Sequence, residues 1–438
     1  MKRFMRCHRT APRRRIRTGL LLASTAMTLV AAGPAAAIDV NGTVTHSTDF
    51  NYGGQILVGN GATGTMIVED GADVSNAMAL VGASTSMTSP AGEVIVRGAG
   101  SSWQSSSDVV IGHLSDGRLQ VLDGGSTSVA GNLTVGGFQG SGTAVVDDQS
   151  RLEIIGGDLA VGSNRYGTLT LSGSSSLTVD SGNGDIVLGS GSSGGELKIG
   201  AGGGTVLANV IRFDNSTANL TFDHGLASYT FDTTLSGNGD ITVLSGTTLL
   251  QSDASAFAGQ TYVNGGTLLL DGISLGGMAY LGGGVLGGSG SIAGVTYVTS
   301  GSTLAPGSAS GIGQLDSNGS VTFYTGSNFE VHVDSSGNAD KLISGGTISL
   351  DTGVTLNVLA QNGTDDGSTY SPSTTYTILD SRSGLSGTFD TVNENFAYLD
   401  ANVTYDPNSA YLTLTRCVSC GTLDRKSTRL NSSHITIS

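Results

Sequence analysis

Between residues 38 and 416 the chain has no cysteine, and over all 438 residues it has only 6 prolines, one tryptophan, 5 % aromatics and 13 % charged residues. Each scarcity excludes something. Without cysteine, the body holds neither a disulfide framework nor a thiolate metal site, so order must come from hydrogen bonding and burial. The low proline content excludes a collagen helix, as does the absence of glycine at every third position. Basic side chains are also few. Residues 38–416 carry nine Lys and Arg against 34 Asp and Glu, a net charge of −25. Such a surface repels nucleic-acid phosphates and anionic lipid, so no nucleic-acid partner is expected.

What the chain does have is glycine, 69 residues of it, interleaved with short runs of Val, Leu, Ile, Thr and Ser. Apolar runs continue along the whole length, which argues against disorder. The composition therefore predicts many short strands joined by glycine-rich turns, an all-β chain.

The first 37 residues read as an export signal. Eight Lys and Arg without an acid precede the apolar stretch from Leu20 to Ala32, and Ala35-Ala36-Ala37 closes it. Ala35 and Ala37 fit the small-residue positions of a signal-peptidase site. The apolar run is too short for a permanent membrane anchor.

Internal repeats decide the architecture. An apolar run closed by glycine occurs six times, ending at Gly59, Gly82, Gly112, Gly136, Gly162 and Gly189. A second run follows each, opened by Gly64, Gly92, Gly117, Gly142, Gly167 and Gly195, at spacings of 28, 25, 25, 25 and 28. The second runs alternate, as in Leu119 and Val121 against Arg118 and Gln120, which is strand periodicity with one buried face. A 25-residue unit cannot bury that face alone, but a stack of units can. The six closing glycines would serve as tight repeat corners. A right-handed parallel β-helix, or a closely related solenoid, follows. A propeller repeat is longer, and a sandwich has no need of a 25-residue period.

The period loosens over about 205–330, yet the phrase Ser-Gly-Asn-Gly-Asp-Ile at 181–186 returns at 236–241, so one continuous stack is expected. From 331 to 416 the strands lengthen and glycine thins out, as suits a capping segment that closes an open edge. The expected division is thus 1–37 signal, 38–204 regular β-helix, 205–330 looser β-helix, 331–416 cap and 417–438 tail. At roughly 25 residues per rung the body makes about 15 rungs, or some 70 Å of rod.

These residues resemble a known family. The repeated Val-Gly and Gly-x-Leu-x-Val pattern of 50–200, with Gly98-Ala99-Gly100-Ser101-Ser102-Trp103 between two copies, is similar to repeats of type V secretion passengers. Leu235-Ser236-Gly237-Asn238-Gly239, Asn264-Gly265-Gly266-Thr267-Leu268 and Leu304-Ala305-Pro306-Gly307 resemble the autotransporter-associated β-strand repeat. Ala339-Asp340-Lys341-Leu342, Gly384-Leu385-Ser386-Gly387-Thr388-Phe389 and Tyr411–Arg416 resemble the end of pertactin-like passengers. The resemblance implies a passenger carried to the cell surface by an outer-membrane β-barrel translocator, expected in cis, and a role in adhesion or aggregation toward an unidentified host or cell-surface ligand. Only 22 residues follow Arg416, too few for the eight or more strands of such a barrel. The tail from Cys417 to Ser438 changes composition abruptly, and Asp424–His434 resembles translated adapter sequence. It is expected to be foreign to the gene.

Chemistry-bearing motifs are sparse, and no cofactor or metal is expected. Gly59-Asn60-Gly61-Ala62-Thr63-Gly64 matches a dinucleotide loop but leads into strand-like Met66–Val68 instead of a helix. Gly272–Gly276 and Gly191–Gly195 match G-x-S-x-G, but the body's four histidines (His46, His113, His224, His332) look isolated, and a nucleophile elbow needs one. Cys417-Val418-Ser419-Cys420 is half a zinc site. The acid pairs Glu69-Asp70 and Asp147-Asp148 fit turns. Stacked rungs would align acids such as Asp123 and Asp147, so a polysaccharide-degrading groove is the alternative reading. Trp103 is expected to pack in a turn instead of standing exposed for sugar stacking.

Overall fold

The computed structural model describes residues 37–84, 92–307 and 311–417. Ala35 and the signal stretch before it lie outside them, as does the tail from residue 418; Ala37 is exposed just before the first strand.

The described chain is almost entirely short strands, with a single 3-10 turn at Asp180–Gly182. Through Thr391–Glu394, a strand typically pairs in parallel with the strand three places along, so three strands make one turn of a parallel β-helix. Three faces result. The first is a 10-stranded sheet from Ile38–Val40 to Ala256–Phe257, taken up by a further sheet that begins at Ser274–Leu275; the bridge Ala254 to Leu275 joins the two. The second is one unbroken 15-stranded sheet from Gly42–His46 to Leu385–Ser386. The third is a seven-stranded sheet from Phe50–Asn51 to Gly204–Leu207, then an eight-stranded one from Tyr229–Phe231 to Thr391–Glu394.

The register is glycine on glycine. On the second face Gly42, Gly64, Gly92, Gly117, Gly142, Gly167 and Gly195 are successive partners. The corner glycines that precede them explain why. Gly59, Gly82, Gly112, Gly136, Gly162 and Gly189 all have positive φ, between 70° and 85°, a region that costs a side-chain-bearing residue about 1–2 kcal/mol. Each donates its N–H to the last strand carbonyl of the rung below: Gly112 to Val81 at 2.9 Å, Gly136 to Ile111 at 2.9 Å, Gly162 to Val135 at 2.7 Å. A Cβ on Gly142 would fall inside the bond between the Gly136 nitrogen and the Ile111 oxygen, and one on Gly167 inside that between Gly162 and Val135. The opening glycine leaves room for the corner bond of its own rung.

With register settled at the corner, inward side chains line up. Ile56, Ala79, Val109, Leu133, Leu159 and Ile186 form one buried row on the first face, and Val58, Val81, Ile111, Val135, Val161 and Leu188 the next. Each fully buried aliphatic contributes about 1.5–3 kcal/mol. Further along, serine takes over the corner between the first two faces. Ser317, Ser344 and Ser381 are register partners, all buried, and Ser344 Oγ donates to the Gly319 carbonyl as Ser381 Oγ does to that of Gly346, both at 2.8 Å.

The last strands abandon parallel pairing. Ser373–Ser381 pairs antiparallel with Ser409–Arg416, which pairs antiparallel with Leu399–Tyr405. Sequence periodicity located strands here but not their direction, since alternation is the same either way. Tyr370, Tyr376, Phe389 and Phe396 are buried on the core at this end, and Tyr370 and Tyr376 bond the carbonyls of Val333 and Asp334. Cys417, the last described residue, is disulfide-bonded.

A paired substitution tests the corner. Gly142→Ala should cost about 3 kcal/mol or more through overpacking against backbone. Gly42→Ala, in the same ladder but with open space around its Cβ, should cost about 1–2 kcal/mol for its positive φ. Denaturant unfolding of both variants, followed by circular dichroism, gives the comparison.

Candidate functional site

The structure places the sequence motifs as follows. Gly59 and Gly61 both have positive φ and lead into the strand Gly64–Val68, so the apparent dinucleotide loop is a rung corner. Neither G-x-S-x-G serine meets a histidine among the described residues. Ser274 Oγ accepts a bond from Ser291 Oγ at 3.0 Å, and the Ser193 carbonyl accepts one from Asn215 at 3.0 Å. Trp103 is not in a turn. It sits fully buried in the strand Ser102–Ser105, between Val74 and Thr127 of the adjacent rungs, and its Nε1–H donates to Asn76 Oδ1 at 2.7 Å. The small neighbours leave room for the indole on the inward side.

The expected alignment of Asp123 with Asp147 is off by one. Val121 pairs with Val146, so Leu122 faces Asp147 and Asp123 stacks on Asp148. Asp70, Asp123 and Asp148 have positive φ (59°, 54° and 51°), which Asp tolerates better than most residues. Glu69, Asp70 and Asp123 border an open depression of about 430 Å³, but Arg97 lies among them and donates from Nε to Glu69 Oε2 at 2.8 Å. The paired charges of a sugar-cleaving centre are not assembled there. Among the described residues no three His, Cys, Asp or Glu side chains are set to hold a metal ion.

One ionisable cluster escaped sequence reading. His332 looks isolated, yet the turn Asp334–Asn338 brings Asp340 back beside it, with Val333 bridging Ala339. Asp340 is fully buried. One of its oxygens accepts from His332 Nδ1 at 2.9 Å and from the His332 amide at 2.8 Å; the other accepts from the Gly313 amide at 2.8 Å. Three donors compensate the buried charge. Burial raises the pKa of Glu330, two residues before His332 on the same outward row. The Asp340 hydrogen bond raises that of His332 against the opposing effect of burial. His332 also borders an open depression of about 580 Å³ with Gln361, Asn362 and Asn395. An imidazole oriented this way can exchange protons, but no hydroxyl or thiol nucleophile is hydrogen-bonded to it among the described residues. The signal in the sequence was the turn Asp334-Ser335-Ser336-Gly337-Asn338, which reverses the chain. The other histidines are also partnered or packed: His46 Nε2 with the Tyr52 hydroxyl at 2.8 Å, His224 Nε2 with Thr248 Oγ1 at 3.0 Å, and His113 against Phe138.

No family model matches the chain. Over 187 residues, 41 % of its length, it is 28 % identical to an extracellular serine protease of Serratia marcescens. It is similar to an extracellular protein. The match covers 17 % of that relative, so the chain spans about a sixth of its length, and the relative's activity does not transfer with it. No helix among the described residues is long and apolar enough to cross a membrane.

The His332 cluster predicts a pH dependence. A folded-state pKa above the unfolded value near 6.5 adds stability that is full below about pH 6.5 and is lost as pH rises through the folded value. The raised pKa of Glu330 acts with the same sign in a more acidic window. The melting-temperature difference between the native chain and His332→Gln should therefore be largest in acid and shrink above neutrality. A difference independent of pH would count against the ion pair.

Proposed function

We propose that the chain is the exported passenger part of an autotransporter-type surface protein, and that it works by binding, in adhesion or aggregation, and not by catalysis. The observation that carries this reading is the unbroken second face. Fifteen strands, with one register shift between Phe222 and Asp223, present one continuous outward surface, and in the acidic depression at Glu69, Asp70 and Asp123 Arg97 stands among the acids. The likeness to an extracellular protein supports export. The net charge of −25 over 38–416 favours solubility outside the cell and disfavours nucleic acid as a partner. The antiparallel end with its buried aromatics suits a cap that protects the last rungs from edge-to-edge pairing. The implied partner is an outer-membrane β-barrel translocator; no cofactor is called for.

Surface display provides the test. The chain, with its leader and joined to a translocator barrel, is produced in a non-clumping bacterial host. Cells that expose it to external protease should sediment faster or attach to surfaces better than cells displaying the barrel alone. Exposed passenger with unchanged settling and attachment, together with release of new reducing ends from a polysaccharide by the purified chain, would favour a hydrolase or lyase.

A further inference from the structure

We propose that a row of tyrosines on the second face is a stacking platform for a linear, uncharged polysaccharide lying along the axis of the solenoid. This deepens the binding role proposed above by naming its surface and ligand class.

The row runs outward through successive rungs. Thr242 pairs with Tyr262, Tyr262 with Tyr280, Tyr280 with Tyr297 and Tyr297 with Thr322. Tyr324, two residues beyond Thr322, reaches back to within 6.2 Å of the Tyr297 ring. Earlier rungs place Thr45, Ile67, Ile95, Gln120, Val145 and Thr170 in this row. In a chain with 5 % aromatics, three consecutive tyrosines in one row are a local concentration.

The rings are open to solvent and to a flat partner. Tyr280 is 38 % exposed and Tyr324 41 %, while Tyr262 and Tyr297 are half-buried. Tyr262 and Tyr280 stand 6.0 Å apart and 59° to one another, so their faces are not consumed by mutual stacking. The core's edge-to-face pairs are closer, as in Phe222 and Phe231 at 5.1 Å. The corners beside the row are glycine: Gly259, Gly277 and Gly294 on one side, Gly265-Gly266 and Gly282-Gly283-Gly284 on the other. They raise no walls, and neither depression described above touches this surface. The result is an open strip, suited to a polymer and not to an enclosed small molecule.

The dimensions and charge select the polymer. The Tyr262–Tyr280 and Tyr297–Tyr324 ring centroids lie 6.0 and 6.2 Å apart, on four successive rungs whose backbones repeat at about 4.8 Å and so span about 14 Å. That repeat is close to the length of one sugar ring. Sugars offer apolar C–H faces to aromatic rings and hydroxyls to side chains such as Gln260, which already accepts a bond from the Tyr262 hydroxyl at 2.6 Å. A body of net charge −25 disfavours anionic glycans and also a second copy of itself.

Affinity electrophoresis of the purified full chain tests this. The gels contain hydroxyethylcellulose, xyloglucan, glucomannan or galactan, with polygalacturonate as the charged comparison. At least one neutral glycan should retard the chain, and polygalacturonate should not. Tyr280→Ala should weaken retardation about tenfold. Tyr280→Phe should keep most of it, and the triple alanine variant at 262, 280 and 297 should lose it. Tyr398→Ala, at an exposed tyrosine outside the row, serves as the control. Circular dichroism establishes that each variant keeps its sheet. The proposal is overturned if no neutral glycan retards the chain, if the folded triple variant is retarded equally, or if sedimentation shows tyrosine-dependent self-association without glycan. Such a failure leaves the cell-settling experiment standing, because that experiment reads binding through any surface.

Discussion

A glycine amide at each rung corner bonds to the strand-end carbonyl of the rung below, and the next strand opens with a residue that has no Cβ to intrude on that bond. The two glycines are one device. The first turns the chain through a left-handed conformation, and the second clears the space that the turn needs. Gly136 and Gly142 show it most directly, since a Cβ on one would sit in the hydrogen bond of the other. Because the device recurs at every rung from Gly59 to Gly195, neighbouring strands cannot slip. A slip of one residue would also turn every buried side chain outward.

A fixed register has two products. Inside, it stacks like on like, which gives the continuous aliphatic rows. Outside, it stacks whatever surface residues share a position, so that residues 17 or 18 apart in the chain become neighbours. The tyrosine row arises in this way. On the third face the same register sets Glu330 over Asn357 and His332 over Leu359. Where glycine corners give out, buried serines at 317, 344 and 381 bond the turn carbonyls instead, and the second face runs on unbroken although the other two change sheets. The stack thus depends on meeting the corner's hydrogen-bonding needs, and more than one residue type does so.

Much of the fold was legible because its signals are local. A corner with positive φ favours glycine whatever surrounds it, so the positions of Gly59, Gly82, Gly112, Gly136, Gly162 and Gly189 stand out in the chain. Alternation in Leu119 and Val121 reports a half-buried strand for the same reason. The site-level features were not legible. Trp103 reads as a turn residue beside Gly100, but its inward position follows from pairing with Val74 and Thr127. The stacking of Asp123 on Asp148 depends on one step of register. His332 meets Asp340 only because an intervening turn folds back, and the direction of the final strands carries no mark in their alternation.

The sequence by itself determined that this chain is a stack of short strands with glycine corners, poor in charge other than acidic. These follow from sterics and composition within a few residues. Only the tertiary structure decided which outward residues meet, because those meetings depend on the exact length of every rung. That is why three tyrosines at 262, 280 and 297, unremarked along the chain, become a single surface in the fold.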